Sequence, residues 1–189
     1  MGTSLRNKTY LLLLGIFSIG IVMGVLFLLF NSEASKEIIL SNINNYLQDM
    51  NPVNGILYHI LILSSLLISS FLIIGIPLSI FFLFYNGFSI GFIITSLTSI
   101  FSTKGLIYGI IYVLITKGLF ILLLLLFIKS LIKISGIILD KIINKINIKE
   151  RIYYLIIRCI VIISIVLLVD ILLYFFGVTI LNIFNFLLI

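Results

Sequence analysis

The chain has 189 residues and a net charge of +6, with 62% hydrophobic residues and only 10% charged, against about 45–50% and about 25% in an ordinary soluble domain. A soluble domain of this size buries only about 70% of the surface its unfolded chain exposes, so the composition excludes a soluble enzyme or binding module and makes lipid the expected solvent. A single cysteine and a single histidine, Cys159 and His59, exclude a disulfide framework and a Cys/His metal site with several ligands.

A bilayer core about 30 Å thick requires roughly 20 apolar residues per helical crossing. The first such run is Tyr10–Phe30, preceded by Arg6 and Lys8. It exceeds the usual apolar core of a signal peptide and no A-x-A-like site follows, Ala34 being the only alanine, so it is expected to stay as an anchor. Residues 31–54 form an outer segment. Ser32 can cap a short helix with Glu33 at its positive end, and Ile39, Ile43, Tyr46 and Met50 then fall near one face, with Asn42, Asn45 and Asp49 on others. This amphipathic segment, ended near Asn51-Pro52, reads either as a lid on the bundle or as a docking platform for an extracytoplasmic protein.

No formally charged residue occurs from Gly55 to Thr103. As one helix that stretch would measure about 70 Å, so two spans are expected, 56–75 and 77–101. Gly75-Ile76-Pro77 is the expected break, since proline lacks an N–H and restricts the residue before it. Asn86-Gly87 is a second candidate turn. A fourth span, 105–128, is apolar apart from Lys117.

Residues 129–152 carry Lys133, Lys141, Lys145 and Lys149 at multiples of four, with Ile137, Ile138, Ile142 and Ile146 between them. That is a basic stripe beside an apolar face, the pattern of an interfacial helix against anionic lipid, where each lysine contributes about 1 kcal/mol. No aromatic residues interleave with the lysines, so nucleic acid is not an expected partner. The fifth span, 153–176, contains Arg158 near its start and Asp170 in its far half. The tail 177–189 either extends this helix or lies in the interface.

These runs are continuously apolar and do not alternate with period two, so the fold class is all-α: a polytopic membrane bundle of about five helices, not a barrel. Basic residues before the first span and in 129–152 place both in the cytoplasm, opposite Lys36 and Lys104. Five spans then put the C-terminus outside.

Three GxxxG matches, Gly20/Gly24, Gly87/Gly91 and Gly105/Gly109, mark close helix packing. They leave open whether the contacts are internal or to another subunit. Ser64, Ser65, Ser69 and Ser70 in the second span are expected to hydrogen-bond within or between helices. A mid-membrane lysine must face protein, water or a partner. Lys117 and Asp170 are therefore read as an intramembrane ion pair, the competing reading being an ion or proton path. His59, at the outer start of the second span, needs no special role there, and Arg158 is expected to snorkel to the cytoplasmic surface. No G-x-S-x-G, H-E-x-x-H, phosphate loop or intramembrane carboxylate pair occurs, so neither an enzyme nor a cofactor is expected.

The segment Gly75-Ile76-Pro77 through Tyr85-Asn86-Gly87-Phe88-Ser89-Ile90-Gly91-Phe92 resembles the most recognisable stretch of the stage II sporulation protein M family: a Gly-x-Pro joint, an apolar run, a small-residue turn and G-x-x-x-G. The order of spans is similar along nearly the whole chain. The family's polar, proline-containing segment in the fourth span is replaced here by Ile115-Thr116-Lys117-Gly118. The resemblance implies a multi-pass scaffold of bacterial engulfment in the septal membrane, recruiting the peptidoglycan-degrading stage II sporulation proteins P and D. A small channel or transporter using Lys117 and Asp170 is the alternative.

Overall fold

The computed structural model describes residues 2–30, 52–72, 74–144 and 149–188. All regular structure among them is helical: α1 (Gly2–Phe30), α2 (Pro52–Ser70), α3 (Gly75–Asn144) and α4 (Lys149–Leu188). Three stretches are long and apolar enough to cross a membrane, Lys8–Phe30, Gly75–Leu139 and Ile152–Leu173, and Ile56–Ser70 is a shorter apolar helix. The fold is that of a helical membrane protein. Its outer surface is studded with apolar side chains such as Leu11, Leu61, Phe81, Leu114 and Leu168, which water would penalise and lipid does not.

The element α3 is not straight. Ser102 has φ 55° and ψ −133°, outside helical geometry, and the chain folds back there. Gly105 lies against the Leu97 backbone, Gly109 against Ile94, with 3.2 Å from a Cβ built on it to Ile94 Cα, and Lys117 Nζ reaches Ser89 Oγ at 2.9 Å. In an unbroken helix residues 89 and 117 would be about 42 Å apart. The element is therefore an antiparallel hairpin with a first arm, 75–101, and a second arm, 103–144.

The turn between α2 and α3 is equally tight. The amides of Phe71 and Leu72 bond the carbonyls of Ile68 and Ser69, and a Cβ added to Gly75 would run into the backbone of Ser70. The second span therefore ends at Ser70, earlier than the expected 75, because the chain reverses before reaching Gly75. Gly75 and Pro77 start the next helix, where the first turn tolerates a proline. Asn86-Gly87 is no turn: Asn86 Nδ2 donates to Phe82 O within the helix.

Contacts fix the directions. Along α2 and the second arm, His59 meets Phe120 and Ser70 meets Ser135, so these run parallel. Opposite the second arm, α4 runs antiparallel, with Cys159 bonded to Ser130 and Asp170 beside His59. The first arm and α1 run parallel through the interlocked glycines described below. The core centres on the second arm, where Phe127, Ile128, Leu131 and Ile134 are completely enclosed and pack with Leu13, Leu63, Leu66, Leu83, Cys159 and Val166.

This placement corrects the reading of 129–152 as a separate interfacial helix. The second arm continues as one helix to Asn144, and Lys129, Ser130, Leu131, Ile134 and Ser135 are buried in the bundle. The apolar face beside the lysine stripe, expected to lie against lipid, packs on the core through Ile137 and Ile138. Residues 145–148 lie outside the described residues, and α4 runs on through the tail to Leu188. Residues 31–51, with most of the outer segment, also lie outside them.

Candidate functional site

Four of the six packing glycines weld α1 to the first arm of α3. A Cβ added to Gly20 would meet Phe84 O, with Phe88 N 3.1 Å away; one on Gly24 would meet Phe88 O and, at 2.9 Å, Phe92 N. Reciprocally, Gly87 faces Phe17 O, and Gly91 faces the Ile21 backbone, its carbonyl carbon 2.9 Å from the added atom. In each case the neighbour is backbone, so no side chain can swing aside. Phe27 closes the seam against Phe88, ring centroids 5.6 Å apart and nearly edge-on. The remaining pair, Gly105 and Gly109, closes the α3 hairpin on itself. All six expected packing glycines thus make contacts inside one chain.

The intramembrane charges are arranged differently from the expected pair. Asp170 Oδ2 lies 2.7 Å from His59 Nδ1. With the carboxylate ionised, Nδ1–H is the donor. Both side chains are only partly exposed, 24% for His59 and 14% for Asp170. The imidazole stacks on Phe120, centroids 4.5 Å apart at 20°, and Phe120 is itself buried.

Lys117 instead donates to Ser89 Oγ across the hairpin. The Lys117–Asp170 pair is therefore corrected to two separate contacts, Lys117–Ser89 and His59–Asp170. The reason is rotational. Lys117 and Phe120 are three residues apart, about 4.5 Å along the axis, so depth does not separate the groups. Lys117 turns toward the first arm, whereas Phe120 presents the adjacent face to α2 and α4.

The opposite end of the bundle carries basic and tyrosine side chains. Lys129 Nζ sits 3.5 Å over the centroid of the Tyr10 ring, a cation–π contact that joins α1 to the second arm of α3. Lys133, Tyr153 and Tyr154 are exposed nearby, and Arg158 is half-buried. The hydroxyls in the second span behave as expected. Ser64, Ser65, Ser69 and Ser70 all donate back to carbonyls of their own helix, and Ser135 donates to Ser70 O at 2.7 Å across the bundle.

Among the described residues, no group of three or more His, Cys, Asp and Glu side chains comes together to hold a metal. The candidate docking residues Ile39, Ile43, Tyr46 and Met50 lie outside the described residues. Sequence reasoning missed two contacts: the partnership of His59 with Asp170, and the packing of buried Lys129 on Tyr10. No family model, curated protein or solved structure matches the chain.

Proposed function

We propose that the chain is an integral-membrane scaffold that crosses the bilayer five times, with the N-terminus and residues 145–148 in the cytoplasm and the C-terminus outside. The observation that carries this reading is the backbone-to-backbone seam between Gly20/Gly24 and Gly87/Gly91. Helices interlocked through glycine in lipid form a rigid platform, because separating them forfeits every close contact at once. The directions of α1, α2, the two arms of α3 and α4 alternate in step with five crossings. The tyrosines and basic residues gathered around Tyr10, Lys129 and Arg158 suit a cytoplasmic interface.

On this reading the outer segment 31–54 recruits extracytoplasmic, wall-remodelling proteins. By the Gly75–Phe92 resemblance these are stage II sporulation proteins P and D, met at the septal membrane during engulfment. Tyr46 supplies an aromatic anchor, with Ile39, Ile43 and Met50 beside it. The test is affinity purification from native membranes of a sporulating host after cross-linking. A Tyr46→Ala, Ile43→Ser double variant is expected to insert normally and to lose the wall-acting partner. A double variant that inserts and retains every outer partner removes this segment from the mechanism.

A second reading, a proton-coupled carrier, is favoured by one observation: His59 and Asp170 form a hydrogen-bonded acid–base pair between helices. Uptake assays in proteoliposomes under an imposed pH gradient separate the two. Transport abolished by Asp170→Asn supports the carrier, and partner loss with no transport supports the scaffold.

A further inference from the structure

We infer that the bundle carries a binding site for one anionic phospholipid of the cytoplasmic leaflet, in the groove between the second arm of α3 and α4. The groove is open, has a volume of about 340 Å³, and is lined by Leu126, Tyr154, Ile157, Arg158, Val161 and Ile162. Its chemistry is divided lengthwise. Leu126, Ile157, Val161 and Ile162 make an apolar trough, with Ile157 and Val161 open at its lip and Ile162 buried at its floor. The Arg158 side chain and Tyr154, one turn before it on α4, are its polar lining. No carboxylate lines it.

Arg158 is six residues into the apolar stretch Ile152–Leu173, about 9 Å from its start, within reach of the phosphate level by snorkelling. Among the described residues it has no ion-pair partner, in contrast to Asp170, which closes on His59, and Lys129, which is spent on Tyr10. A cation at that depth requires a counter-charge, since burying it unpaired in hydrocarbon is costly. The guanidinium fork matches two phosphate oxygens, and the Tyr154 hydroxyl is a further donor beside it. Lys133 is exposed and lies seven residues, two turns, beyond Leu126 on the same helix face. It adds positive potential at the mouth of the groove.

A phospholipid satisfies both halves of the site: phosphate on Arg158, acyl chain along Leu126, Ile157, Val161 and Ile162. The surplus of positive charge selects a headgroup of net negative charge over a zwitterionic one, the known behaviour of basic pockets between helices on the cytoplasmic side. The inference rests on the membrane-spanning reading and on none of its scaffold content.

The test is native mass spectrometry of the full chain released from nanodiscs of phosphatidylcholine, with or without phosphatidylglycerol. The wild type is expected to retain one phosphatidylglycerol per chain, with a preference over phosphatidylcholine of about fivefold or more. Arg158→Gln should reduce that preference to near unity and Arg158→Lys should restore part of it. Lys104→Gln, a charge change on the α3 hairpin near Ser102, should leave it unchanged. Leu126→Trp, which fills the trough, should lower retention of both lipids. Equal retention of the two lipids by the wild type overturns the site without recourse to any variant, as does undiminished preference in a folded Arg158→Gln. Extraction of the wild type from membranes by alkaline carbonate would instead overturn the membrane-spanning reading. Resistance to carbonate with no lipid preference overturns the lipid site alone.

Discussion

The seam between α1 and the first arm of α3 sets a demanding test, because sequence-identical changes on one helix should have opposite outcomes. Gly24 and Gly91 sit where an added methyl meets backbone: Phe92 N at 2.9 Å and Phe88 C at 3.0 Å for Gly24, Ile21 C at 2.9 Å and Ile21 Cα at 3.1 Å for Gly91. Ordinary contact begins near 3.4 Å, and carbonyl oxygens stand closer still, so the helices must part by on the order of 1 Å. A gap of that size forfeits about a quarter to a half of each pairwise attraction along the seam. Inserting one methylene into a closed interface costs about 1–3 kcal/mol. For a chain of this length each kcal/mol lowers the melting temperature by about 2–4 °C. Gly91→Ala should therefore melt about 4–8 °C below the wild type in a fixed detergent at the middle of that range. Combining Gly24→Ala with Gly91→Ala should cost less than the sum, since one separation relieves both clashes. On the same α1 helix, Gly15 has nothing within 4 Å of an added Cβ, and neither has Gly118 on the second arm. Alanine at these two positions should be neutral or slightly stabilising, as alanine is the better helix former. The assay is thermal unfolding followed by fluorescence-detected size exclusion. Equal losses at Gly15 and Gly91 would refute the argument, because composition alone would then explain the effect.

Three further expectations follow from the same geometry. In a double-mutant cycle, His59→Ala and Asp170→Ala should couple by more than about 0.5 kcal/mol, whereas Lys117→Met and Asp170→Ala should add within about 0.3–0.5 kcal/mol; the reverse pattern would restore the Lys117–Asp170 pair. Ser102→Gly should raise the melting temperature by about 2–4 °C by relieving about 1 kcal/mol of positive-φ strain, while Ser102→Ile should lower it, and an unchanged melt in both would mean the chain does not reverse there. In a Cys159→Ser background, an impermeant thiol reagent should label Lys104→Cys from outside intact cells and label Arg6→Cys and Lys145→Cys only after lysis, with outside labelling at 145 sinking the five-crossing topology.

The periodic features of the chain are legible in the sequence alone. Glycine spacing pointed to close packing, and the seam uses those glycines. Gly75 and Pro77 marked a break, and a helix starts at that point. The bounds of spans 77–101 and 105–128 left a gap between 101 and 105, and the non-helical Ser102 lies in it. What could not be read was how far a helix continues once it carries charge. The lysines at 129 and 133 looked like the edge of the bundle. Yet Leu131 and Ile134, set between and beside them on the same helix, are completely enclosed. A basic stripe reports only the face it occupies. Burial of the other face depends on which neighbours stand there, and α2 and α4 are brought to it by turns 50 or more residues away in sequence or on the far side of the 145–148 connection.

The charged contacts failed for a more instructive reason. Depth along a span is readable from sequence, and rotation about the axis is not, unless the neighbour order is known. Lys117 and Asp170 were matched as the two conspicuous charges in the membrane. His59 is three residues from the outer start of span 56–75 and Asp170 six from the outer end of span 153–176, a difference in depth of about 4.5 Å. In the bundle Phe120, three residues beyond Lys117, stacks on His59, so Lys117 lies within about 4.5 Å of the same depth and rotation separates it from Asp170. The histidine matches that depth as well, and its lack of formal charge concealed it. Its stacking on Phe120 then turns the imidazole edge toward Asp170 and leaves Lys117 to the hairpin partner at Ser89. Each ionisable group in this layer is satisfied by a helix adjacent in the bundle. If His59 is removed, Asp170 has no second cation within ion-pair distance among the described residues. Lys117→Met cannot compensate for that loss, and rescue of His59→Ala by Phe120→Lys, which returns a cation to the same face, is the expected signature of a layer specified by rotation as well as by depth.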